Sequence, residues 1–282
     1  MTRTHQSTIT RVNGHFTDQI ATNDRGLAYG DGLFETIRVE SGVPILLDAH
    51  LARLFLGCKR LGIDVDGLHQ RISDDLNALL GRNSVSQLSV LKLIVTRGPG
   101  LRGYSPATGN SPTIISSLAP VNDLASQSLQ GVRVRWCNTP LSINPYLAGI
   151  KHLNRLEQVL ARGEWNDVAI SEGLMCDPYG HLVEGTMSNV FWVSRGELYT
   201  PDLTECGIQG VVRETIIACA QRANIKVHMG RFHSSAILSA SELFVCNSLI
   251  NIWPVVALDE IHWQVGSLTT QLQLLLKKEY AV

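Results

Sequence analysis

Alternation of apolar and polar positions divides the chain into strand-like and helix-like stretches that mix along its length. Residues 8–16 alternate across Asn13-Gly14, a dipeptide that predicts a tight hairpin turn. The stretch DRGLAYGDGLFETIRV, residues 24–39, has glycines at 26, 30 and 32 and predicts tight turns or close backbone approach. It runs into a strand at 37–40, which Ser41-Gly42 turns back through 43–47. Asp48 predicts the N-cap of a helix with Leu51, Leu54, Phe55, Cys58 and Leu61 on its buried face and Gly62 as its stop. On that pattern His50, Arg53 and Arg60 fall away from the apolar stripe. A second helix is predicted over 68–80, then strands at 89–96 and 113–118, joined by RGPGLRGYSPATGNSP, a loop of a length that is often functional.

The polar stretch 119–130 predicts a linker, dividing the chain into residues 1–118 and 131–282. Beyond it the pattern predicts strands at 132–136, 167–172, 182–184, 189–193, 198–200, 226–229 and 242–246. Between the first two lies LAGIKHLNRLEQVLAR, residues 147–162, where Leu153, Leu156 and Leu160 recur at helical spacing just after Lys151. GIQGVVRETIIACAQRA, residues 207–223, reads as a glycine-containing loop opening a helix, and a last helix covers 267–279. Strands and helices mix in both halves, so the class is α+β or α/β.

Composition narrows the picture. At 282 residues, 44% hydrophobic and 17% charged, the chain has the material for about two domains with real cores. A formal net charge of -1 and the lack of a dense basic run argue against nucleic acid or an anionic membrane as partner. The polar start MTRTHQSTITRVNGHF has no signal-peptide core and no stretch reaches membrane-spanning length, so the expectation is a cytoplasmic protein. Six scattered cysteines lack CxxC or Cys/His ligand spacing, which predicts reduced thiols and no metal site.

Four features become one argument if the ligand is pyridoxal 5'-phosphate. That cofactor needs a lysine for its aldehyde, an acid beside its pyridine nitrogen and a cradle for its phosphate. Lys151 offers the first and Glu184, in LVEGTMSNVFWV, the second. The amides of 207–212 at a helix start, Arg53 and Ser248 offer the third. Taken singly, each has an ordinary alternative: a solvated lysine, a strand-end carboxylate, a common loop before a helix, a solvated helix arginine, a turn-capping serine.

DRGLAYGDGLFETIRV, HLARL, RGPGLRGYS, NPYLAGIKHLNRLEQVLAR, VEGTMSNVFWV, GIQGVVRE and CNSLINIWPV resemble, in order and spacing, the fold-type IV (class IV aminotransferase-like) pyridoxal-phosphate enzymes. The resemblance runs over roughly residues 10 to 260. It implies the two-domain fold of the D-amino-acid aminotransferase type, with a smaller N-terminal domain, a larger C-terminal domain and the cofactor at their interface. It implies that Lys151 holds the cofactor and moves the proton, and that Glu184 meets the pyridine nitrogen. Arg53, the Val211 and Val212 amides and Ser248 would grip the phosphate, with Asn154 and Asn189 near the cofactor. Thr36, where transaminase relatives tend to have glycine, would assist catalysis. Arg97, Arg102, Tyr104 and Tyr29 would face the substrate, one arginine meeting a carboxylate. Within the family the lyase branch fits best: 4-amino-4-deoxychorismate to 4-aminobenzoate and pyruvate, in folate biosynthesis. A D-amino-acid or branched-chain aminotransferase is the alternative activity, and a non-catalytic binder of pyridoxal phosphate or another phosphate ligand the alternative class. The resemblance also implies a homodimer.

Overall fold

The structure is a computed structural model that describes residues 8–81, 86–106, 111–121 and 125–280. Residues 1–7, residues 107–110 of the expected loop and 122–124 of the expected linker lie outside the described residues. The chain divides into two compact units, Met1–Asp123 with Ile150–Asn154, and Leu124–Gly149 with Arg155–Val282.

The first unit opens with the hairpin β1 (Ile9–Val12) and β2 (His15–Phe16). Asn13 and Gly14 between them both have positive φ, 48° and 84°, the backbone that a two-residue hairpin turn requires. The glycine-rich stretch is more regular than its composition predicts. Asp24 accepts from the Gly26 amide and caps a short helix, α1 (Arg25–Tyr29), and β3 (Gly32–Glu40) begins at the third glycine. After β4 (Val43–Pro44) come α2 (Leu47–Leu61), α3 (Leu68–Leu80), β5 (Leu88–Thr96) and β6 (Thr113–Pro120). The six strands form an antiparallel sheet in the order β2-β1-β6-β5-β3-β4. Leu33, Ile37 and Val39 of β3 are buried with Leu91, Leu93 and Val95 of β5 and the helical Leu51, Leu54, Cys58, Ile72 and Leu79.

Two expectations about α2 need correcting. Its N-cap is Leu46, so Asp48 sits in the first turn, where a carboxylate favours the helix dipole. His50, expected on the solvated side, is buried.

The second unit contains α4 (Ala125–Gln130), β7 (Val132–Trp136), α5 (Leu156–Arg162), β8 (Ile170–Cys176), β9 (Leu182–Gly185), β10 (Asn189–Ser194) and β11 (Glu197–Pro201). It continues with α6 (Val211–Arg222), β12 (Val227–Gly230), β13 (Glu242–Asn247), β14 (Asn251–Leu258), β15 (Ile261–His262) and α7 (Ser267–Tyr280). Its strands run β12-β11-β10-β13-β14-β7-β8-β9, with β15 beside β14. Val134, Leu174, Val190, Trp192, Leu243 and Val255 lie in its main core. The stretch 119–130 is partly regular structure, since β6 continues to Pro120 and α4 follows. The strand expected at 167–172 begins at Ile170 and runs to Cys176.

The leucine spacing around Lys151 misleads. The helix starts only at Leu156, and Leu156 and Leu160, expected on its buried face, are 76% and 64% exposed. Gln158 and Ala161 are buried in their place.

Candidate functional site

Lys151 lies on an extended segment. The Phe34 amide donates to the Lys151 carbonyl at 2.9 Å, the Leu153 amide donates to the Gly32 carbonyl at 3.0 Å, and His152 pairs with Leu33 in an antiparallel bridge. These backbone bonds to β3 prevent a helical start, which corrects the expectation drawn from the leucine spacing. They also fix the lysine: its Nζ stands 4.4 Å from the centre of the Phe34 ring. The pleat puts Phe34, Thr36 and Arg38 on one side of β3 and Leu33, Glu35 and Ile37 on the other. Thr36 pairs directly with Lys92 of β5, whose Nζ is 5.7 Å from the same Phe34 ring. Lys92 was not singled out in the sequence, although period-two alternation along 88–96 puts it on this face.

On the reverse side of β3, Glu35 is 0% exposed inside the apolar stripe. It accepts from Arg53 Nε at 2.9 Å and from Arg53 Nη2 at 2.5 Å, a forked pair, and contacts His50 Nδ1 at 2.6 Å. Burial is the largest single influence on Glu35 and pushes it up. The Arg53 charge and the bonds from His50 and Arg53 outweigh it, holding the carboxyl below its ordinary value. Burial, again the largest influence, holds His50 below its ordinary value despite Glu35, with Lys151 among the charges that lower it. The lowering favours the neutral ring, and Nδ1 is placed to donate a hydrogen bond to the carboxylate. Arg53 is thus fixed in plane by a buried anion, a relation that sequence reasoning missed.

Arg97 departs from its expected substrate role. Its Nε and Nη2 donate to Asp31 at 2.7 and 3.0 Å, and Nη1 and Nη2 donate to the Gly62 and Leu61 carbonyls at 2.7 Å. Asp31 also takes Arg25 Nε at 2.8 Å, and Arg25 holds the loop through the carbonyls of Gly103 and Tyr104. Tyr29 accepts from the Gly103 amide, and its ring meets that of Tyr104 edge-on at 5.4 Å. These contacts make Arg97 a brace for the loop, while Arg102 and Tyr104 on it are exposed. Asn154 Nδ2 donates to the Gly30 carbonyl at 3.3 Å.

In the second unit Glu184 lies in β9, buried, and accepts the Ile208 amide at 2.8 Å. Asn189, the first residue of β10, donates from Nδ2 to the Ile208 carbonyl at 2.9 Å. Ile208 is therefore held at both ends of its peptide unit. Two residues on, Gly210 is the N-cap of α6 without a side-chain cap, which leaves the amides of Val211 and Val212 as helix-start donors. Only glycine fits there, because a Cβ at 210 would stand 2.0 Å from Asn189 Oδ1. Gly149 joins the same loop, donating to the Gly207 carbonyl and accepting from the Gln209 amide. Arg155 is half-buried; burial lowers its guanidinium below the ordinary value, opposed by the charges of Glu184 and Glu157. Ser248 sits in a turn organised by Asn247, whose Oδ1 accepts the Leu249 and Ile250 amides at 2.8 and 2.9 Å.

The cysteines are free thiols, and burial pushes Cys58, Cys137, Cys206 and Cys246 up to about 12, which makes them inert near pH 7. Among the described residues no group of three or more His, Cys, Asp or Glu side chains has the arrangement of a metal site.

The profile of the family described as amino-transferase class IV matches residues 32–258, a span that contains Thr36, Arg53, Lys151, Glu184, the 207–212 loop and Ser248. Among solved structures, 4-amino-4-deoxychorismate lyase from Pseudomonas aeruginosa is similar at a TM-score of 0.89 and 46% identity, covering 96% of this chain and 98% of that one. Aminodeoxychorismate lyase of Vibrio harveyi is 34% identical over 268 residues, 93% of this chain and 97% of the relative. D-alanine aminotransferase of Bacillus licheniformis is 26% identical over 242 residues, 84% of this chain and 82% of the relative. Profile, identity and fold agree over nearly the whole length: the chain belongs to the class IV aminotransferase family.

Proposed function

We propose that the protein is a pyridoxal-phosphate-dependent lyase that converts 4-amino-4-deoxychorismate to 4-aminobenzoate and pyruvate. The observation that carries this reading is the 46% identity, over 96% of the chain, to a solved lyase of that name. The donor set fits the cofactor: a lysine fixed over an aromatic ring, a buried carboxylate oriented by a backbone amide, and a helix start without a side-chain cap, whose amides suit an anion. Glu184 would hold the pyridine nitrogen protonated, and the Val211 and Val212 amides with Arg53 and Ser248 would hold the phosphate. The bound cofactor supplies an electron sink at the amine-bearing carbon.

With the cofactor bound, Lys151 Nζ would hold its aldehyde group, and the lysine amine would take up the proton from the amine-bearing carbon of the substrate. Thr36, on the same face of β3 as Phe34, donates a hydrogen bond toward the departing enolpyruvyl oxygen. Lys92, directly opposite Thr36, meets the substrate carboxylate in place of Arg97, one of the two loop arginines considered for it, which Asp31 occupies. The enol leaves as pyruvate and the ring becomes aromatic, which drives the reaction forward.

A homodimer working in the cytoplasm completes the proposal. The exposed Leu156, Val159 and Leu160 of α5 support a second copy covering that helix. Among the described residues no helix is long and apolar enough to cross a membrane.

The test is to supply 4-amino-4-deoxychorismate without a keto acid and measure 4-aminobenzoate and pyruvate. Amino transfer from D-alanine to 2-oxoglutarate in place of those products favours the second reading, supported by the D-alanine aminotransferase relative. Lys151→Ala is expected to abolish turnover and the borohydride-sensitive absorbance band of bound cofactor. A Lys151→Ala protein that kept that band would sink the assignment of this lysine.

A further inference from the structure

Glu172 has no part in the chemistry above, yet five donors converge on its carboxylate. It lies within β8 and is 1% exposed. One of its oxygens accepts from the Gly173 amide at 2.8 Å, the Thr186 amide at 3.1 Å and Thr186 Oγ1; the other accepts from the Met187 amide at 3.1 Å and Ser188 Oγ at 2.7 Å. Four of these five donors belong to the turn 185–188, which the Gly185 amide closes onto the Ser188 carbonyl.

That turn separates Glu184 from Asn189, the two residues that hold opposite ends of the Ile208 peptide. The Met187 carbonyl in turn accepts from Asn247 Nδ2 at 3.0 Å, and Asn247 organises the turn that carries Ser248. A buried carboxylate accepting only neutral donors is costly to keep, so its retention calls for a structural return beyond packing. Here the return is a four-residue connection with one allowed shape, and what hangs from its two ends is the carboxylate and the loop of the candidate cofactor site.

We infer that Glu172 is a positioning residue: it fixes the 185–188 turn so that Glu184 and the 207–212 loop keep the spacing that one pyridoxal phosphate demands. The inference rests on the assignment of Glu184 and that loop to the cofactor.

Glu172→Gln preserves volume but turns one acceptor edge into a donor facing N–H and O–H groups, so the turn must shift. In the holoenzyme it is expected to weaken cofactor binding by about tenfold or more, as loss of a supporting partner does at metal sites. It should also move the pH at which the near-visible band of the bound cofactor changes. Thr186→Val should move both readouts in the same direction by less, and it decides the matter, with Ser188→Ala, if the glutamine variant does not fold. Asp75→Asn serves as the control: this buried carboxylate of the first unit, bonded to Arg11 and Ser116, should lower the melting temperature and leave the band unmoved. Folded Glu172→Gln and Thr186→Val proteins with wild-type affinity and band would overturn the inference alone. A wild-type protein without the band, or one in which Glu184→Gln leaves it unchanged, would overturn the cofactor reading beneath it.

Discussion

Glu35 in the first unit and Glu172 in the second are equally buried, and their surroundings push them in opposite directions. Burial is the largest single influence on both and raises both. At Glu35 a guanidinium and an imidazole outweigh it, and the carboxyl is held below its ordinary value. At Glu172 the partners are amides and hydroxyls, and the carboxyl stays above its ordinary value. A carboxylate faced by a charge stays ionised and orients that charge, here Arg53. One faced by dipoles orients a stretch of backbone instead. Burial therefore does not specify the role of a carboxylate; the charge of what faces it does.

The largest expected effect comes from breaking the charged pair. Arg53→Met leaves Glu35 buried without its fork, and such removals cost about 3–5 kcal/mol. Urea unfolding of cofactor-free protein measures the loss directly. Glu35→Gln combined with Arg53→Met should recover much of it, since no lone charge is then left behind. A single Arg53→Met variant as stable as wild type would mean that the pair is not a buried one.

On the other side of the comparison, Ser188→Ala removes one neutral donor from Glu172 and leaves an acceptor with other partners. A loss of about 1.5–3 kcal/mol is expected, the scale of one hydrogen bond to a carboxylate. A loss as large as that of Arg53→Met would make Ser188 the dominant partner of Glu172 and erase the contrast.

The charged cluster was partly legible in the sequence. Leu33, Ile37 and Val39 mark a buried stripe of β3, and Glu35 sits inside that stripe, which is a signal that partners must exist. His50 and Arg53, one helical turn apart on α2, are those partners, but the apolar spacing of the helix assigns both to solvent. Hairpin turns and the helix at Leu68–Leu80 are legible because local chemistry decides them. The Lys151 segment is not, because backbone bonds to β3, far away in sequence, override a leucine pattern of correct helical spacing. β14 escaped for a related reason: Pro254 argues against a strand locally, yet the residue pairs with Phe244 in the sheet. Glu172 gave no local sign, since four of its five donors lie 14 to 16 residues further along the chain.

The smallest effect is one of slope, and it tests the comparison by sign. Glu35 has its folded value below the ordinary 4.5, so its stabilisation is present above that value and lost as pH falls through the folded one. Glu172 has its folded value above 4.5, so its favourable contribution is present below the ordinary value and lost as pH rises through the folded one. The unfolding free energy of wild type minus that of Glu35→Gln should therefore grow as pH rises in the acid range. The same difference for Glu172→Gln should shrink, over a window that begins near 4.5 and extends upward. One proton limits either slope to about 1.4 kcal/mol per pH unit. Urea titrations from about pH 3 to about pH 7 would resolve the two signs. Two slopes of the same sign would show that the dipoles around Glu172 stabilise its charge as effectively as a guanidinium does, and the distinction between orienting a cation and orienting a turn would lose its electrostatic basis.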